Sequence, residues 1–166
     1  KESEFSFIVE YLKPFYNNGL DGIIIQDLGL IPLLKTEFPH LELHASTQMT
    51  VNNFRSAKWL KEQGICRIVP SRELSLTELQ EIKDKADIEV EAFIHGAMCY
   101  GYSGQCLFSS FLGGRSGNRG RCAQPCRLPY AVNCDNYTSK KNKDIYPLSL
   151  KDLCSLPYIY ELLDAG

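Results

Sequence analysis

Six of the seven cysteines in this 166-residue chain fall between Cys99 and Cys154. They are Cys99, Cys106, Cys122, Cys126, Cys134 and Cys154, and Cys66 stands apart. Clustered thiols can form disulfides, ligate metals or attack electrophiles. A disulfide framework belongs to small secreted domains, yet the chain opens without a secretory signal, and an odd count leaves one thiol over. Metal ligation or thiol chemistry is therefore the expectation. The Cys-x₂-Cys pairs of zinc ribbons and fingers are absent; six residues separate Cys99 from Cys106, and three separate Cys122 from Cys126. An iron–sulfur cluster accepts wider spacing, because its corners lie apart from one another. On spacing alone a cluster, a zinc ion and a set of redox thiols all remain open.

The same stretch is unusual in charge. From Ala92 through Cys134 there is no Asp, Glu or Lys, but four arginines occur: Arg115, Arg119, Arg121 and Arg127. Tyr100, Tyr102, Phe108, Phe111 and Tyr130 lie among them. Guanidinium groups on phosphate and rings on bases are how single-stranded nucleic acid is held. Arginines pairing with the rest of a chain of net charge −2 are the plainer alternative. Just upstream, Glu91, Phe93 and His95 share one face of an alternating run, which makes Glu91 and His95 candidates for general acid–base work. Glu91 equally fits a structural carboxylate paired with an arginine.

These residues need elements to position them. Gly22–Ile25, Leu43–Ser46, Ile65–Val69 and Ile88–Ile94 read as strands; Leu28–Phe38, Phe54–Gln63 and a run from Leu76 read as helices between them. Asn52 or Asn53 caps the second helix, and Ser75 with Glu78 has capping-box spacing at the third. A helix from Phe5 to Tyr16, interrupted by Pro14, precedes the first strand. This alternation predicts a parallel α/β sheet, open or part of a (β/α)₈ barrel. Polar residues follow each strand: Gln26-Asp27, Thr47-Gln48, Ser71-Arg72-Glu73, and His95 before the cysteines. Such strand ends carry the sites of α/β folds, although Asp27, Thr47 and Ser71 taken singly fit helix capping. From Cys99 to Tyr130 the rhythm stops, with no helical or alternating pattern in a Gly- and Ser-rich loop. Cys66 is expected in the core, and His40 at the surface with His44 of little signal. The segment Leu156–Leu163 reads as a helix with Gly166 as its stop. A start at Lys1 and an end on a helix stop suggest a fragment of a longer protein, with βα repeats over 1–98 and a cysteine-rich segment over 99–154.

Composition excludes some classes. At 44% apolar and 23% charged the chain is that of a globular protein without a polybasic coat. No apolar run reaches the roughly 20 residues of a membrane helix, and the expected location is the cytoplasm. Gly-x-Ser-x-Gly, His-Glu-x-x-His and Gly-x-x-x-x-Gly-Lys are all missing.

The motifs themselves are informative. Glu91-Ala92-Phe93-Ile94-His95-Gly96-Ala97-Met98-Cys99, followed after four residues by Gly104-Gln105-Cys106-Leu107-Phe108-Ser109, resembles the signature of peptidase family U32, the collagenase-like family; Phe108 stands where an aliphatic residue is usual. Asn118-Arg119-Gly120-Arg121-Cys122-Ala123-Gln124-Pro125-Cys126-Arg127 is similar to the family's second motif, and Ser149-Leu150-Lys151-Asp152-Leu153-Cys154 to its third. Ser46-Thr47-Gln48 resembles a family strand end. The resemblance implies a partial TIM-type (β/α) barrel domain with the long cysteine-rich loop after the fourth strand. It also implies a 4Fe–4S cluster on Cys99, Cys106, Cys122 and Cys154, with Cys126 in reserve and zinc as an alternative occupant. For activity it implies hydroxylation of RNA, at a tRNA wobble uridine or an rRNA cytidine, with prephenate as a possible requirement. Arg115, Arg119, Arg121, Arg127 and Gln48 would then meet the RNA, and Glu91 and His95 would be catalytic. A collagenase-like peptidase and a cluster-binding accessory protein, as in oxygen-independent ubiquinone hydroxylation, are the family's other readings.

Overall fold

The computed structural model describes residues 1–134, 137–138 and 145–165, and of residues 133–134 and 137–138 the backbone alone. Among these residues the chain forms two compact units, Lys1–Ala92 with Tyr160–Gly166, and Phe93–Ile159. No helix among the described residues is long and apolar enough to cross a membrane.

The first unit is mixed α/β. Helix α1 (Phe5–Asn17) leads into β1 (Gly22–Ile25), then α2 (Leu30–Glu37), β2 (Glu42–Ala45), α3 (Phe54–Glu62), β3 (Arg67–Ile68), α4 (Leu76–Ala86) and β4 (Glu89–Val90). The four strands are parallel and lie in the order of the chain, β1-β2-β3-β4. Each element appears where periodicity places it, with ends shifted by a few residues. Asn53 caps α3 by accepting the Ser56 N–H at 3.0 Å. Ser75 and Glu78 form the capping box of α4, with the Glu78 carboxylate accepting from the Ser75 N–H at 2.7 Å. Helix α1 runs through Pro14 unbroken. Pro14 lies in the exposed last turn, where the Glu10 carbonyl it leaves without a helical donor can meet water.

The pleat sorts the sheet into two rows. Ile25, Ala45, Ile68 and Val90 are aligned across the strands and belong to the apolar core with Leu34, Leu43, Leu60 and Ile82. Burying each of the large aliphatic side chains stabilises the fold by about 1.5–3 kcal/mol. The alternate row is Ile24, His44, Arg67 and Glu89. This second face is polar, and Ile24 on it is 57% exposed. Cys66 belongs to this side and is exposed, contrary to the expectation of a core residue. Regular strand geometry begins only at Arg67, so Ile65 and Ile68 take the buried positions and turn Cys66 outward. His40 is at the surface.

The fourth strand is much shorter than its alternating sequence suggests. It ends at Val90, and after Ala92 the chain enters the second unit. There β5 (His95–Gly96) starts a separate ladder. A short helix, α5 (Phe108–Gly113), interrupts the stretch expected to lack helix. It is a turn and a half long and ends on left-handed Gly114, too brief to show a 3.6-residue period in sequence. Backbone pairs β6 (Asn133–Cys134) with β7 (Tyr137–Thr138). Strand β8 (Leu153–Cys154) runs antiparallel to β5, so that His95 faces Cys154 and Gly96 faces Leu153. The segment expected as one terminal helix is a 3₁₀ turn at Leu156–Tyr158 followed by α6 (Ile159–Asp164); Gly166, its expected stop, lies outside the described residues.

Candidate functional site

The second unit carries Cys99, Cys106, Cys122, Cys126 and Cys154 as thiols outside any disulfide; Cys126 is half-buried and the others are exposed. The side chain of Cys134 lies outside the described residues. Arg127 ties the segments bearing these cysteines together. Its guanidinium donates to the Met98 carbonyl at 3.1 Å, the Asp152 carboxylate at 2.9 Å, the Ser149 hydroxyl at 2.8 Å and the Leu150 carbonyl at 2.7 Å. Met98 precedes Cys99, Arg127 follows Cys126, and Asp152 lies two residues before Cys154. One planar fork therefore joins three cysteine-bearing strands of chain, the geometry for which arginine is suited and lysine is not.

Two further stitches hold the remaining cysteines. The hydroxyl of buried Ser109, on α5, accepts the Ala123 N–H at 2.9 Å, beside Cys122. Asn118 donates to the Gly104 carbonyl at 3.2 Å, two residues before Cys106. Gly101 makes room for the turn between Cys99 and Cys106, since a Cβ there would stand 3.2 Å from the Cys106 Cβ and 3.5 Å from its sulfur. The Cys122 sulfur accepts the Gln124 N–H at 3.3 Å. Gln124 reaches this position in a left-handed conformation, φ 54°, uncommon for a residue with a side chain. It opens the 3₁₀ turn Pro125–Arg127, whose Pro125 carbonyl accepts from the Tyr130 hydroxyl at 2.8 Å.

Five thiols, four of them exposed, are a donor set of the chemistry that both iron–sulfur clusters and zinc take. None of the five is in a disulfide, and a backbone N–H donating to sulfur, as at Cys122, is the kind of contact that tunes cluster thiolates.

The expected RNA contacts are divided. Arg127 spends its donors inside the unit. Arg115 and Arg121 are exposed, and Arg115 donates to the Arg121 carbonyl at 3.0 Å; Arg119 is exposed as well. Tyr100, Tyr102 and Phe111 are 57%, 53% and 83% exposed. Gln48 belongs to the first unit, in the 3₁₀ turn Thr47–Met49, where its N–H donates to Ser46. Asp27 makes a local turn contact, accepting the Gly29 N–H, whereas Thr47 donates to the Pro70 carbonyl at 3.1 Å, 23 residues away, and caps no helix. Glu91 and His95 do not share a strand: Glu91 follows β4 in the first unit and His95 begins the ladder of the second. Period-two alternation orders side chains only while the strand continues. Glu91 lies 4.0 Å from Arg67, whose close partner is Glu89 at 2.8 Å. Asp152 and Ser149, which anchor Arg127, were absent from the expected site. An acidic residue and an arginine each within two positions of a cysteine were the signal available.

Sequence comparison decides the family. The profile of peptidase family U32 matches residues 1–166. The chain belongs to peptidase family U32. Over 151 residues it is 42% identical to the 23S rRNA 5-hydroxycytidine synthase of Escherichia coli, covering 91% of this chain and 22% of that protein. Over 162 residues it is 43% identical to tRNA hydroxylation protein P1 of Bacillus subtilis, covering 95% of this chain and 38% of that one. A protein named collagenase, from Porphyromonas gingivalis, is 30% identical over 138 residues, 76% of this chain and 33% of its own. The U32 chain thus spans well under half the length of these relatives. No solved structure matches it.

Proposed function

We propose that this U32 chain is the cluster-bearing part of an RNA hydroxylase, in which Cys99, Cys106, Cys122 and Cys154 hold a 4Fe–4S cluster with Cys126 in reserve. The sheet unit is part of a (β/α) barrel-like domain. The observation that carries this reading is the Arg127 network, which joins the segments of Cys99, Cys126 and Cys154 without any disulfide. A unit held this way, without a large apolar core, gains most from a metal centre as its staple.

When bound, the cluster supplies one-electron redox chemistry. The rest is the work of the chain's own residues. Arg115, Arg119 and Arg121 meet backbone phosphates and Tyr100, Tyr102 and Phe111 stack bases, an arrangement that suits unpaired RNA. His95, the register partner of Cys154, moves a proton beside the centre in this reading. The names of relatives above 40% identity favour tRNA or rRNA as substrate, and the family resemblance adds prephenate as a possible co-substrate.

One observation favours the peptidase alternative. Register partners of an antiparallel pair hold their Cβ atoms about 4.5–5.5 Å apart, so His95 and Cys154 form a thiol–imidazole neighbourhood of the kind a cysteine nucleophile needs. The two readings separate in one experiment. Anaerobically purified protein is incubated with RNA, and the digested nucleosides are weighed for the gain of one oxygen on uridine or cytidine. Gain that disappears with Cys99→Ala supports hydroxylation. Cleavage of denatured collagen that survives iron removal and fails with His95→Ala would replace it with peptidase chemistry.

A further inference from the structure

Within the sheet unit, Glu42, His44 and Cys66 bring a carboxylate oxygen, an imidazole nitrogen and a sulfur within 4.8 Å of one another. Nothing in the hydroxylase reading uses them. Glu42 and His44 are two positions apart on β2 and so share the polar face of the sheet. Cys66 adjoins them at the start of β3, its thiol donating to the Leu43 carbonyl at 3.5 Å. The imidazole Nε2 of His44 lies 3.3 Å from the Glu42 carboxylate.

On the other flank the register partner of Glu42 is Gly22. A Cβ at Gly22 would stand 3.1 Å from the Glu42 Cβ and 3.3 Å from His44 Cε1. Glycine there leaves the space beside both side chains clear. The nearby cation, Arg67, is bound to Glu89 at 2.8 Å, which leaves the Glu42 charge without it.

We propose that Glu42, His44 and Cys66 bind one divalent transition-metal ion of the zinc class. The donor set is one oxygen, one nitrogen and one sulfur, which suits zinc and its neighbours and not magnesium or calcium, which take oxygen ligands. With metal–ligand bonds of about 2.0–2.3 Å, tetrahedral ligands stand roughly 3.3–3.8 Å apart, and the His44–Glu42 separation is already 3.3 Å. Three protein ligands leave a fourth position for water. On binding, the Cys66 S–H bond breaks, its proton goes to solvent, and the sulfur pair forms the bond to the ion. Partial desolvation, with Glu42 next in effect, pushes the Cys66 thiol up.

The test is an anaerobic titration of the whole chain with Co²⁺, followed by displacement with Zn²⁺, read by cobalt–thiolate charge-transfer absorption. Serine replaces every cysteine except Cys66, so any thiolate signal comes from this site. The expected result is one cobalt per chain, a band abolished by Cys66→Ser, and affinity lowered about tenfold or more by Glu42→Gln or His44→Gln. No band, or equal affinity in all three variants, overturns the proposal. Should that background fail to fold by circular dichroism, ions are counted in the otherwise native chain with and without Cys66→Ser. One equivalent fewer supports the site, and an equal count overturns it.

Discussion

The two units of this chain are held together by different physics. Every buried apolar residue of the described core, from Ile25 to Ile88, lies in the sheet unit. Among the described residues of the cysteine unit the buried ones are Ser103, Ser109 and Pro125, while Tyr100, Leu107, Phe111 and Leu112 are more than half exposed. The first unit is stabilised by apolar burial, which needs no ligand. The second relies on directional polar contacts around Arg127, Ser109 and Asn118, and such contacts are worth about 0.5–1.5 kcal/mol each, or about 1.5–3 where a charge takes part. That difference teaches where the proposed cluster would matter for folding as well as for chemistry.

The comparison can be broken most severely at the ligands. Cys99→Ala, or chelation of iron, is expected to remove amide-exchange protection throughout residues 93–134 and to leave β1–β4 protected. Uniform loss across both units would erase the distinction. In the sheet unit the largest effect comes from fully buried Leu34. Leu34→Ala is expected to cost about 3–5 kcal/mol in denaturant unfolding, with the cysteine unit little changed. Arg127→Ala removes four hydrogen bonds from a half-buried guanidinium, an expected loss of about 2–4 kcal/mol confined to the cysteine unit. Arg127→Lys should recover only part of it, because an ammonium cannot form the fork. A full rescue by lysine would show that charge alone suffices.

The smallest effect sharpens the picture of the sheet unit. Ser75→Ala takes away the N-cap of α4 and is expected to cost about 1 kcal/mol. The side-chain and backbone hydrogen bonds from Ser75 hold the Glu78 carboxyl below its ordinary value. A carboxyl depressed in the folded state contributes stability above its ordinary value and loses it as pH falls through the folded one. The difference between Ser75→Ala and the native chain should therefore shrink in acid, which thermal melts at pH 7 and at about pH 3 would read.

How much of this was legible in the residues follows the same division. Apolar runs such as Gly22–Ile25, and caps such as Asn53 and Ser75, announce their elements because short-range sterics and hydrogen bonds dictate them. The parallel order of the strands follows from the alternation. The end of β4 at Val90 did not show, since Glu91 to Ile94 keep an alternating pattern after the ladder has ended, and alternation does not reveal whether a partner strand is present. Cys66 was misplaced for a related reason: an apolar run does not say which residue the strand's start turns outward. Arg127 looked like an RNA contact by composition. Its partners are 22 to 29 residues distant in sequence, and contacts of that range are set by tertiary structure.

The most direct measurement is iron and acid-labile sulfide per chain after anaerobic purification, native protein beside Cys99→Ala. The account predicts near-equal iron and sulfide, about four of each as a cubane requires, both lost in the variant. Iron-free native protein that is fully folded in both units would contradict it.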